Sequence, residues 1–455
     1  MAKKKMTLEE KLEEAIVKEI PYEVPVNWVW VEIGSIIEVV SGGTPKSNIP
    51  EYYENGDIAW ITPADLSGYN NIYISNGRRN ISKLGLEKSS AKLMPKDTVL
   101  MSSRAPIGYV VIAENDICTN QGFKNFLPSP VYMPKYLFYY LKYSKELIES
   151  LGSGTTFLEI SGAKAKTIPF PIAPLKEQQR IVDKIESLFE KLNKAKELIE
   201  EAREDFEKRK TAILEKAFRG ELTKEWRKDN KVKYDFTDVL LGDIIEEGPQ
   251  NGLYKPQSAY GEGNMIVRID NFYNGKINPW NTLKKLKLTV DDISKYSLEN
   301  GDIIINRVNS IEYLGKSALV RELNEICVFE SNIMRAKLNK NVNNEYVVYY
   351  LNSIRGLYEL RKTAKHAVNQ ASINQQDVKR AIVPIPSLEE QNEIVKILDK
   401  LLEEEARVEE LTALEEQIEL IKKSVLAKAF RGQLGTNCEE DESALELLKE
   451  ILKDK

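Results

Sequence analysis

The sequence predicts an α+β protein in which two globular mixed α/β domains are joined by two long helices that pair as an antiparallel coiled coil. A segment Lys-Ala-Phe-Arg-Gly stands at 216–220 and again 212 residues later at 428–432. A proline-containing segment at 171–182 likewise returns at 384–395, and apolar residues recur with helical spacing after each copy. Because this interval is far longer than the roughly 20–50 residues of solenoid repeats, it indicates a duplicated unit of one domain and one helix.

The first element is an amphipathic helix predicted over 7–20, where Thr7 and Glu10 form a capping-box pattern. Prolines in the next residues end it. Short runs rich in β-branched and aromatic residues follow, separated by turns, and predict the first globular domain. Its predicted strands are 28–33, 58–62, 98–101 and 109–113, and a helix begins within 136–141.

The first long helix is predicted over 175–217. Its apolar residues step by four and three, with only Arg209 interrupting, which is the pattern of a coiled-coil seam. A single helix of this length cannot bury an apolar stripe, so it needs a partner helix. Antiparallel pairing with the second long helix is favoured because the intervening domain then spans only from the end of one helix to the adjacent start of the other. Such pairing would create a pseudo-twofold axis.

The second domain echoes the first. Residues 241–246 parallel 33–38, and 346–351 parallel 136–141, whereas 303–307 match 99–104 loosely. One loop differs between the domains. The second domain has Gln-Asn-Gly-Leu-Tyr at 250–254 where the first domain has Gly-Gly-Thr-Pro at 42–45. The geometry of that loop is therefore left open.

The second long helix is predicted over 387–429, with a one-residue change of register between Leu401 and Leu411 where we expect a local kink. Ser443 with Glu446 caps a short tail helix, expected to dock beside the N-terminal helix. The predicted segments are an N-terminal helix (1–22), a first globular domain (23–173), a central spacer helix (174–235), a second globular domain (236–385), a C-terminal spacer helix (386–436) and a C-terminal tail helix (437–455).

Charge does not decide the class of partner. The chain carries 65 basic and 70 acidic residues, for a net charge of −5. The acidic excess lies in 386–455, which holds 19 acidic and 10 basic residues. Because exposed charges are screened beyond about 8–10 Å at physiological salt, an acidic helix does not prevent a basic surface elsewhere. Net charge thus neither supports nor excludes DNA as a partner.

The sequence also predicts a soluble, cytoplasmic protein. Its apolar runs fall short of the roughly 20 residues that a membrane helix needs, and the basic first residues lead into a polar helix. Cys118, Cys327 and Cys438 lie far apart without Cys-x-x-Cys spacing, so we expect buried or incidental thiols and neither a disulfide framework nor a zinc site.

The order of the repeated motifs closely resembles that of the specificity (S) subunit of type I restriction–modification enzymes, over nearly the whole chain. The motifs are Pro-Leu-x-x-Gln-Gln beginning at Pro174, its counterpart beginning at Pro386, and the paired Ala-Phe-Arg-Gly. The first domain adds local likenesses to the target-recognition domains of that family, at 42–45, 103–108, 119–123 and 152–172. The resemblance implies a fold of two target-recognition domains joined by the two helices.

The resemblance further implies a non-catalytic DNA reader. Each target-recognition domain would read one half of a bipartite asymmetric site through the major groove. The two helices would act as a ruler and as a docking surface for two methyltransferase (M) subunits, which restriction (R) subunits join. S-adenosylmethionine belongs to M, and ATP and magnesium belong to R, so no cofactor is expected in this chain. The acidic face of 389–419 is a candidate surface for M.

The residues agree with a non-catalytic chain. The sequence lacks a Gly-x-x-x-x-Gly-Lys-Ser/Thr phosphate loop and a convincing methyltransferase signature. Its one histidine, His366, is expected at a solvated helix or loop position. The alternative to a DNA reader is a coiled-coil scaffold with duplicated protein-binding domains, which explains the helices and the acidity but not the Asn, Gln, Arg and Lys residues in matched loops. A self-sufficient enzyme is a more distant alternative.

Candidate DNA contacts follow from side-chain chemistry. Arg and Lys suit guanine, Asn and Gln suit adenine, and Ser, Thr and Lys commonly bind phosphate. The alternative for each candidate is an ordinary turn or surface residue. The candidates are, in the first domain, Lys46, Arg104, Asn120, Gln121, Thr155 and Lys164, and in the second, Asn251, Lys255, Arg268, Arg307, Asn309, Asn332, Lys365, Asn369 and Gln370.

Some motif residues are interpreted structurally instead. Glycines in the loops are expected to form turns, the paired phenylalanines to pack between helix end and domain, and the paired arginines to have structural roles. These residues are Gly42, Gly43, Gly152 and Gly154, then Phe218 and Phe430, then Arg219 and Arg431.

Overall fold

A computed structural model describes residues 6–153, 158–273, 275–367 and 370–454, with the backbone alone at 402–413 and 454. The chain forms two compact units. Unit one runs through Glu197 and resumes at Leu414, and unit two is Leu198–Ala413. Each unit therefore contains one globular domain, the start of one long helix and the end of the other.

Unit one is built on short strands and helices that enclose an apolar core. The two central strands, β6 and β7 in the list below, are buried along their whole length. The elements through the first long helix are α1 (Leu8–Ala15), β1 (Val29–Glu32), α2 (Ile33–Ile36), β2 (Val39–Ser41), β3 (Ile58–Ile61), β4 (Tyr73–Ile74), β5 (Arg79–Ile81), α3 (Lys83–Glu87), β6 (Val99–Ser102), β7 (Val110–Ala113), β8 (Cys118–Thr119), β9 (Phe123–Phe126), α4 (Pro134–Tyr143), α5 (Lys145–Ser150), α6 (Gly162–Lys166), β10 (Pro169–Ile172) and α7 (Leu175–Phe218).

Unit two follows the same plan with longer hairpins. The elements through the second long helix are α8 (Lys224–Asn230), β11 (Thr237–Leu240), α9 (Leu241–Ile244), β12 (Ile245–Asn251), β13 (Tyr260–Val267), β14 (Phe272–Tyr273), β15 (Lys276–Ile277), β16 (Lys285–Leu286), α10 (Val290–Tyr296), β17 (Ile303–Asn306), β18 (Val308–Asn309), β19 (Ser317–Leu319), β20 (Cys327–Phe329), β21 (Ile333–Leu338), α11 (Asn344–Asn352), α12 (Ile354–Arg361), β22 (Lys365–Ala367), β23 (Gln370–Ser372), α13 (Gln375–Lys379), β24 (Ile382–Ile385) and α14 (Leu388–Phe430).

The strand order shows that the two domains share a scaffold. In the first, the main sheet runs β2-β9-β6-β7-β4, and in the second it runs β12-β21-β17-β19. A smaller sheet, β5-β3-β8, corresponds to β16-β13-β20, and each contains one antiparallel and one parallel pair. The antiparallel pairs β1-β10 and β11-β24 close the two domains. This confirms an α+β protein with an internal domain repeat.

The repeated Glu-Gln pair at the start of each long helix is a structural joint. The Gln178 side-chain oxygen accepts from the Met133 N–H at 2.9 Å, and that of Gln391 accepts from the Asn343 N–H at 2.8 Å. Each glutamine also donates to a carbonyl just before its helix at 2.8 Å. The same side chain thus fixes where both helices leave their domains.

The Lys-Ala-Phe-Arg-Gly segments end the two helices in the same way. Gly220 and Gly432 have φ of 71° and 67°. In each copy the residue after the glycine donates its N–H to the carbonyl of the segment's lysine, at 2.8 Å. This Schellman arrangement satisfies helix-end carbonyls, and its positive φ favours glycine.

Each terminal phenylalanine packs in the domain of the other repeat. In unit one the Phe430 ring centroid lies 5.2 Å from those of Tyr136 and Tyr140. In unit two the Phe218 centroid lies 5.4 Å from that of Tyr346 and 5.1 Å from that of Tyr350. The predicted core role of both phenylalanines is confirmed.

The long helices share cores within each unit at opposite ends. In unit one, Ile185 near the start of α7 belongs to the same apolar core as Val425 near the end of α14. In unit two, Phe206 near the end of α7 shares a core with Leu398 near the start of α14. The expected kink between Leu401 and Leu411 rests on side chains outside the described residues.

The chain termini pack together in unit one. The tail helix α15 (Ala444–Asp454) shares the core with α1, and Lys11 Nζ donates to the Leu452 carbonyl at 2.9 Å. This confirms the predicted docking. The prediction of a helix over 7–20 is wrong after Ala15, because Ile16 forms a β-bridge with Val31.

Two smaller findings concern the arginines and the thiols. Arg219 Nη2 lies 3.9 Å from Glu215 Oε2, and the Arg431 guanidinium lies 5.0 Å from the Tyr22 ring centroid. Cys118 and Cys327 are buried, and burial raises the pKa of each thiol to about 12. In the described part of the chain, every helix is too short or too polar to cross a membrane.

Candidate nucleic-acid interface

Backbone hydrogen bonds join several loops of the first domain to one another. Gly43 N donates to Thr119 O at 2.9 Å, Ser103 N donates to Gly122 O at 2.7 Å, and Ile160 N donates to Ser103 O at 2.9 Å. Segments distant in sequence therefore meet around the ends of β6 and β9. We define loop cluster one as residues 42–47, 103–108, 120–122 and 158–160.

The second domain builds the same cluster with the same bonds. Leu253 N donates to Phe329 O at 2.8 Å, Arg307 N to Asn332 O at 2.9 Å, and Ile373 N to Arg307 O at 2.9 Å. Each of these bonds has its counterpart in the first domain. We define loop cluster two as residues 252–255, 307–310, 330–332 and 370–373.

The matched backbone hydrogen bonds show which residues of the 250–254 loop correspond to those of the 42–45 loop in the first domain. Gly42 N donates to Phe123 O and Gly252 N donates to Ile333 O, so Gly252 is the counterpart of Gly42. A Cβ would lie 2.0 Å from Asn120 O at Gly42 and 2.3 Å from a backbone oxygen at Gly252. Neither glycine needs a positive φ.

The expectation that the loop glycines serve as turn formers is therefore wrong at Gly42. Close approach of two backbones excludes a side chain there. A Cβ would likewise lie 2.2 Å from the Ser90 carbonyl carbon at Gly43. At Gly152 the predicted turn is present, because Gly152 N donates to Glu149 O at 3.0 Å. Gly154 lies outside the described residues.

Three of the candidates in the first domain are exposed on loop cluster one. Lys46 and Gln121 are exposed, and Gln121 accepts a hydrogen bond from Thr44 Oγ1. Arg104 Nε lies 3.1 Å from Glu159 Oε2, with 46% of the arginine side chain exposed. This places an arginine, a lysine and an amide side chain on one solvent-facing edge, the residue types that read bases and bind phosphate.

The remaining first-domain candidates are more enclosed. Asn120 is half-buried, and its Oδ1 accepts from Gly122 N at 2.9 Å, which shapes its own loop. Lys164 lies on α6 and donates to the Leu151 carbonyl at 2.8 Å. Thr155 lies outside the described residues.

In the second domain, the exposed candidates are Asn251 at the end of β12 and Lys365 and Gln370 on the β22–β23 hairpin. The hairpin reaches loop cluster two because Val308 on β18 pairs with Ser372 on β23. Asn369 lies outside the described residues. His366 is exposed in strand β22, so the expected helix or loop position is wrong.

The other second-domain basic candidates have partners. Lys255 Nζ lies 2.7 Å from Asp292 Oδ2, and this hydrogen bond is the main reason that the pKa of Asp292 falls to about 2. Arg268 Nε lies 3.5 Å from Glu330 Oε2. Each of these two cations therefore has a carboxylate neighbour.

The polar candidates of the second domain help to form their own loops. Arg307 Nη1 donates to Ser331 O at 3.1 Å. Asn309 Oδ1 accepts from Ser310 N at 2.8 Å, and Asn332 supplies the carbonyl that accepts from Arg307 N.

Strand register reveals a residue that sequence reasoning missed. Lys124 on β9 is only 4% exposed, and its Nζ lies 3.2 Å from Ser103 Oγ. Burial lowers the pKa of Lys124. In the second domain, register puts Met334 at the Lys124 position, while Arg307 takes the Ser103 position. Each loop cluster therefore has one buried or half-buried cation near it, but the cation follows β17 in the second domain and lies on β9 in the first. No local sequence signal shows this relationship.

Among the described residues, no group of three or more His, Cys, Asp or Glu side chains could hold a metal ion. The two clusters present hydrogen-bond donors and acceptors, the kinds of group through which proteins read base edges.

Comparison with known proteins gives one consistent family. The model of the type I restriction modification DNA specificity domain matches residues 25–202 and 234–420. The chain is similar to the type I restriction enzyme MjaIX specificity subunit of Methanocaldococcus jannaschii, at 38% identity over 269 residues, 56% of this chain and 60% of that protein. It is similar to the EcoKI specificity subunit of Escherichia coli strain K12, at 26% identity over 427 residues and 90% of each chain.

Solved structures share the fold. The HsdS subunit from Thermoanaerobacter tengcongensis matches with a TM-score of 0.55 at 20% identity, over 92% of this chain and all of that one. A chain from a structure concerned with complex assembly and conformational transition of the type I R-M system matches with a TM-score of 0.69 at 21% identity, over 91% of this chain and all of that one.

Proposed function

This chain belongs to the type I restriction–modification DNA specificity family, and from that premise we propose that it reads a bipartite, asymmetric DNA site, one half-site per globular domain. One observation carries the proposal. Two loop clusters are held by equivalent backbone hydrogen bonds but present different side chains. A common frame with unlike surfaces is suited to reading two unlike half-sites.

Loop cluster one would read its half-site through the major groove with Arg104, Asn120 and Gln121. Arg suits guanine and the amides suit adenine. Lys46 and Lys164 would bind phosphate, together with Thr155.

The second domain would use a different set of side chains, on and around loop cluster two. Asn251, Asn309, Asn332, Asn369 and Gln370 would serve adenine-type contacts, and Arg268 and Arg307 guanine-type contacts. Lys255 and Lys365 would bind phosphate.

The distance between half-sites would be set by the two long helices, paired as an antiparallel coiled coil between domains 23–173 and 236–385. Support comes from the apolar cores that join opposite helix ends within each unit. The helices have 44 and 43 residues, so each is roughly 65 Å long at 1.5 Å per residue. The terminal segments 1–22 and 437–455 would complete unit one.

The same helices would dock two M subunits, with the acidic face of 389–419 as a candidate surface, and R subunits would join that complex. The chain itself would be non-catalytic and cytoplasmic. S-adenosylmethionine would be bound by M, and ATP and magnesium by R.

Selection from random duplexes tests the proposal. The full chain with its M subunits should enrich two defined half-sites separated by a fixed gap. Substitutions in loop cluster one should alter one half-site only, and those in loop cluster two the other. Binding without sequence preference would contradict the proposal and favour a coiled-coil scaffold with protein-binding domains.

A further inference from the structure

Loop cluster two contains an exposed tyrosine, Tyr254. Since Gly252 and Leu253 are the counterparts of Gly42 and Gly43, Tyr254 occupies the position of Thr44. Its side chain is 78% exposed. In the described part of the chain, neither a ring nor a cation stacks on it, unlike Tyr273, which lies beneath Lys316.

The residues on both sides of Tyr254 are held by contacts, Leu253 through its backbone and Lys255 through its side chain. Leu253 N donates to Phe329 O at 2.8 Å, and Ser331 N donates to Leu253 O at 2.9 Å. On the other side, Lys255 Nζ lies 2.7 Å from Asp292 Oδ2. An aromatic side chain has few rotatable bonds, so it loses little entropy when it binds.

The exposed ring of Tyr254 contrasts with its counterpart in the first domain, Thr44. Thr44 is short, and its hydroxyl is already donated to Gln121. At the same backbone position, the second domain therefore carries a longer side chain with an apolar ring, and the first domain carries a short polar one. The neighbouring candidate contacts, Asn251 and Lys255, are polar, so Tyr254 supplies a different kind of contact.

We propose that Tyr254 is a specificity-determining residue that packs its ring against the C5-methyl group of a thymine in the half-site of the second domain. The inference rests on the proposed function, since it takes loop cluster two as a reading surface. The thymine methyl is the apolar group among the base-edge features of the major groove, and apolar side chains recognise it by contact. Reading the methyl group distinguishes thymine from cytosine without a hydrogen bond.

The test replaces each thymine of the selected half-site with uracil, one at a time, in binding measurements on the full chain with its M subunits. Uracil keeps every hydrogen bond and lacks only the methyl group. At one position the wild type should lose about fourfold in affinity, as expected for one buried methyl group. Tyr254→Ala should lose affinity for the thymine duplex and no longer distinguish uracil there. Tyr254→Phe should behave like the wild type.

A matched control is Tyr358, which is 66% exposed on helix α12. Tyr358→Ala should leave affinity and uracil discrimination unchanged, and Tyr254→Ala should retain the first half-site and the wild-type melting temperature. The proposal is overturned if uracil is tolerated at every position, if Tyr254→Ala still senses the methyl group, or if Tyr254→Phe loses as much affinity as Tyr254→Ala. Failure to select any bipartite site would instead overturn the proposed function.

Discussion

Lys124 Nζ lies 3.2 Å from Ser103 Oγ beneath loop cluster one. Ser103 is the residue whose backbone joins two loops of that cluster, through Gly122 O and Ile160 N. The second domain has arginine at the serine position and methionine at the lysine position. The cation at the cluster base is therefore supplied by opposite strands in the two domains.

Replacing both Ser103 and Lys124 with their second-domain counterparts should preserve DNA binding better than replacing Lys124 alone. Lys124→Met removes the cation and should weaken binding to the first half-site by roughly tenfold, about 1.4 kcal/mol. The double variant Ser103→Arg/Lys124→Met, which carries the second domain's pair, should recover much of that loss. Titration of each half-site by fluorescence anisotropy checks this. Equal losses in both variants would contradict the exchange.

The same pair predicts a dependence on pH. Burial lowers the pKa of Lys124, partly offset by the Glu159 carboxylate, and Arg104 lowers it further. The positive charge of Lys124 is lost as pH rises through this lowered pKa. Binding to the first half-site should therefore fall at a lower pH than the ordinary lysine pKa would give, and the double variant should not show that fall because arginine stays charged. Affinity measured against pH for both proteins decides this.

The buried glutamates at the helix starts should respond oppositely to neutralisation. Glu177 Oε2 accepts from Trp28 Nε1 at 2.7 Å and from Asn437 Nδ2 at 2.9 Å, and it is fully buried. Glu390, also fully buried, accepts from Arg227. Glu177→Gln keeps an acceptor and should be neutral or stabilising, whereas Glu390→Gln should cost about 2 kcal/mol because it weakens a charge-assisted bond to a buried arginine.

For Glu177 the pH dependence has a definite sign. Burial raises its pKa above the unfolded value. Its contribution to stability is therefore full below the unfolded pKa and is lost as pH rises through the folded pKa. Thermal denaturation between pH 4 and neutral, a window of roughly three pH units that begins near the usual glutamate pKa, should show this loss in the wild type and a reduced dependence in Glu177→Gln. An unchanged pH profile would contradict the assignment.

Removing a terminal phenylalanine should damage the domain of the other repeat. Phe430 is fully buried among tyrosines of unit one, so Phe430→Ala should cost about 3–5 kcal/mol there. Phe218→Ala should do the same in unit two. Hydrogen exchange resolved by peptide should report faster opening in 23–173 for Phe430→Ala and in 236–385 for Phe218→Ala. The reverse pattern would contradict the packing.

Shortening the helices tests the ruler. Deleting seven residues from the middle of both α7 and α14 keeps the seam in register and removes roughly 10 Å. The gap between half-sites should shrink by about 3 base pairs, at 3.4 Å per step, while both half-site sequences stay the same. Duplex selection with the shortened chain gives the answer, and deletion in one helix alone serves as the mismatched control. Altered half-site sequences with an unchanged gap would sink the idea.

Features set by local pattern were readable from the sequence alone. The long helices, predicted over 175–217 and 387–429, are Leu175–Phe218 and Leu388–Phe430. The Thr7–Glu10 capping box and the glycine helix ends also follow from residues within a few positions of each other. Helix periodicity and capping act over one or two turns, so they are written in neighbouring residues.

The tertiary structure alone decided what depends on pairing between distant strands. In the sequence comparison, Arg307 corresponds only loosely to Arg104. Strand register instead makes Arg307 the counterpart of Ser103, and it makes Met334 the counterpart of Lys124. Gly42 is required by the approach of Asn120, which is far along the chain. Likewise, α1 ends at Ala15 because Ile16 joins Val31 in a β-bridge. A one-residue change of register moves every side chain of a strand to the other face, so such relationships exist only once the sheets have formed.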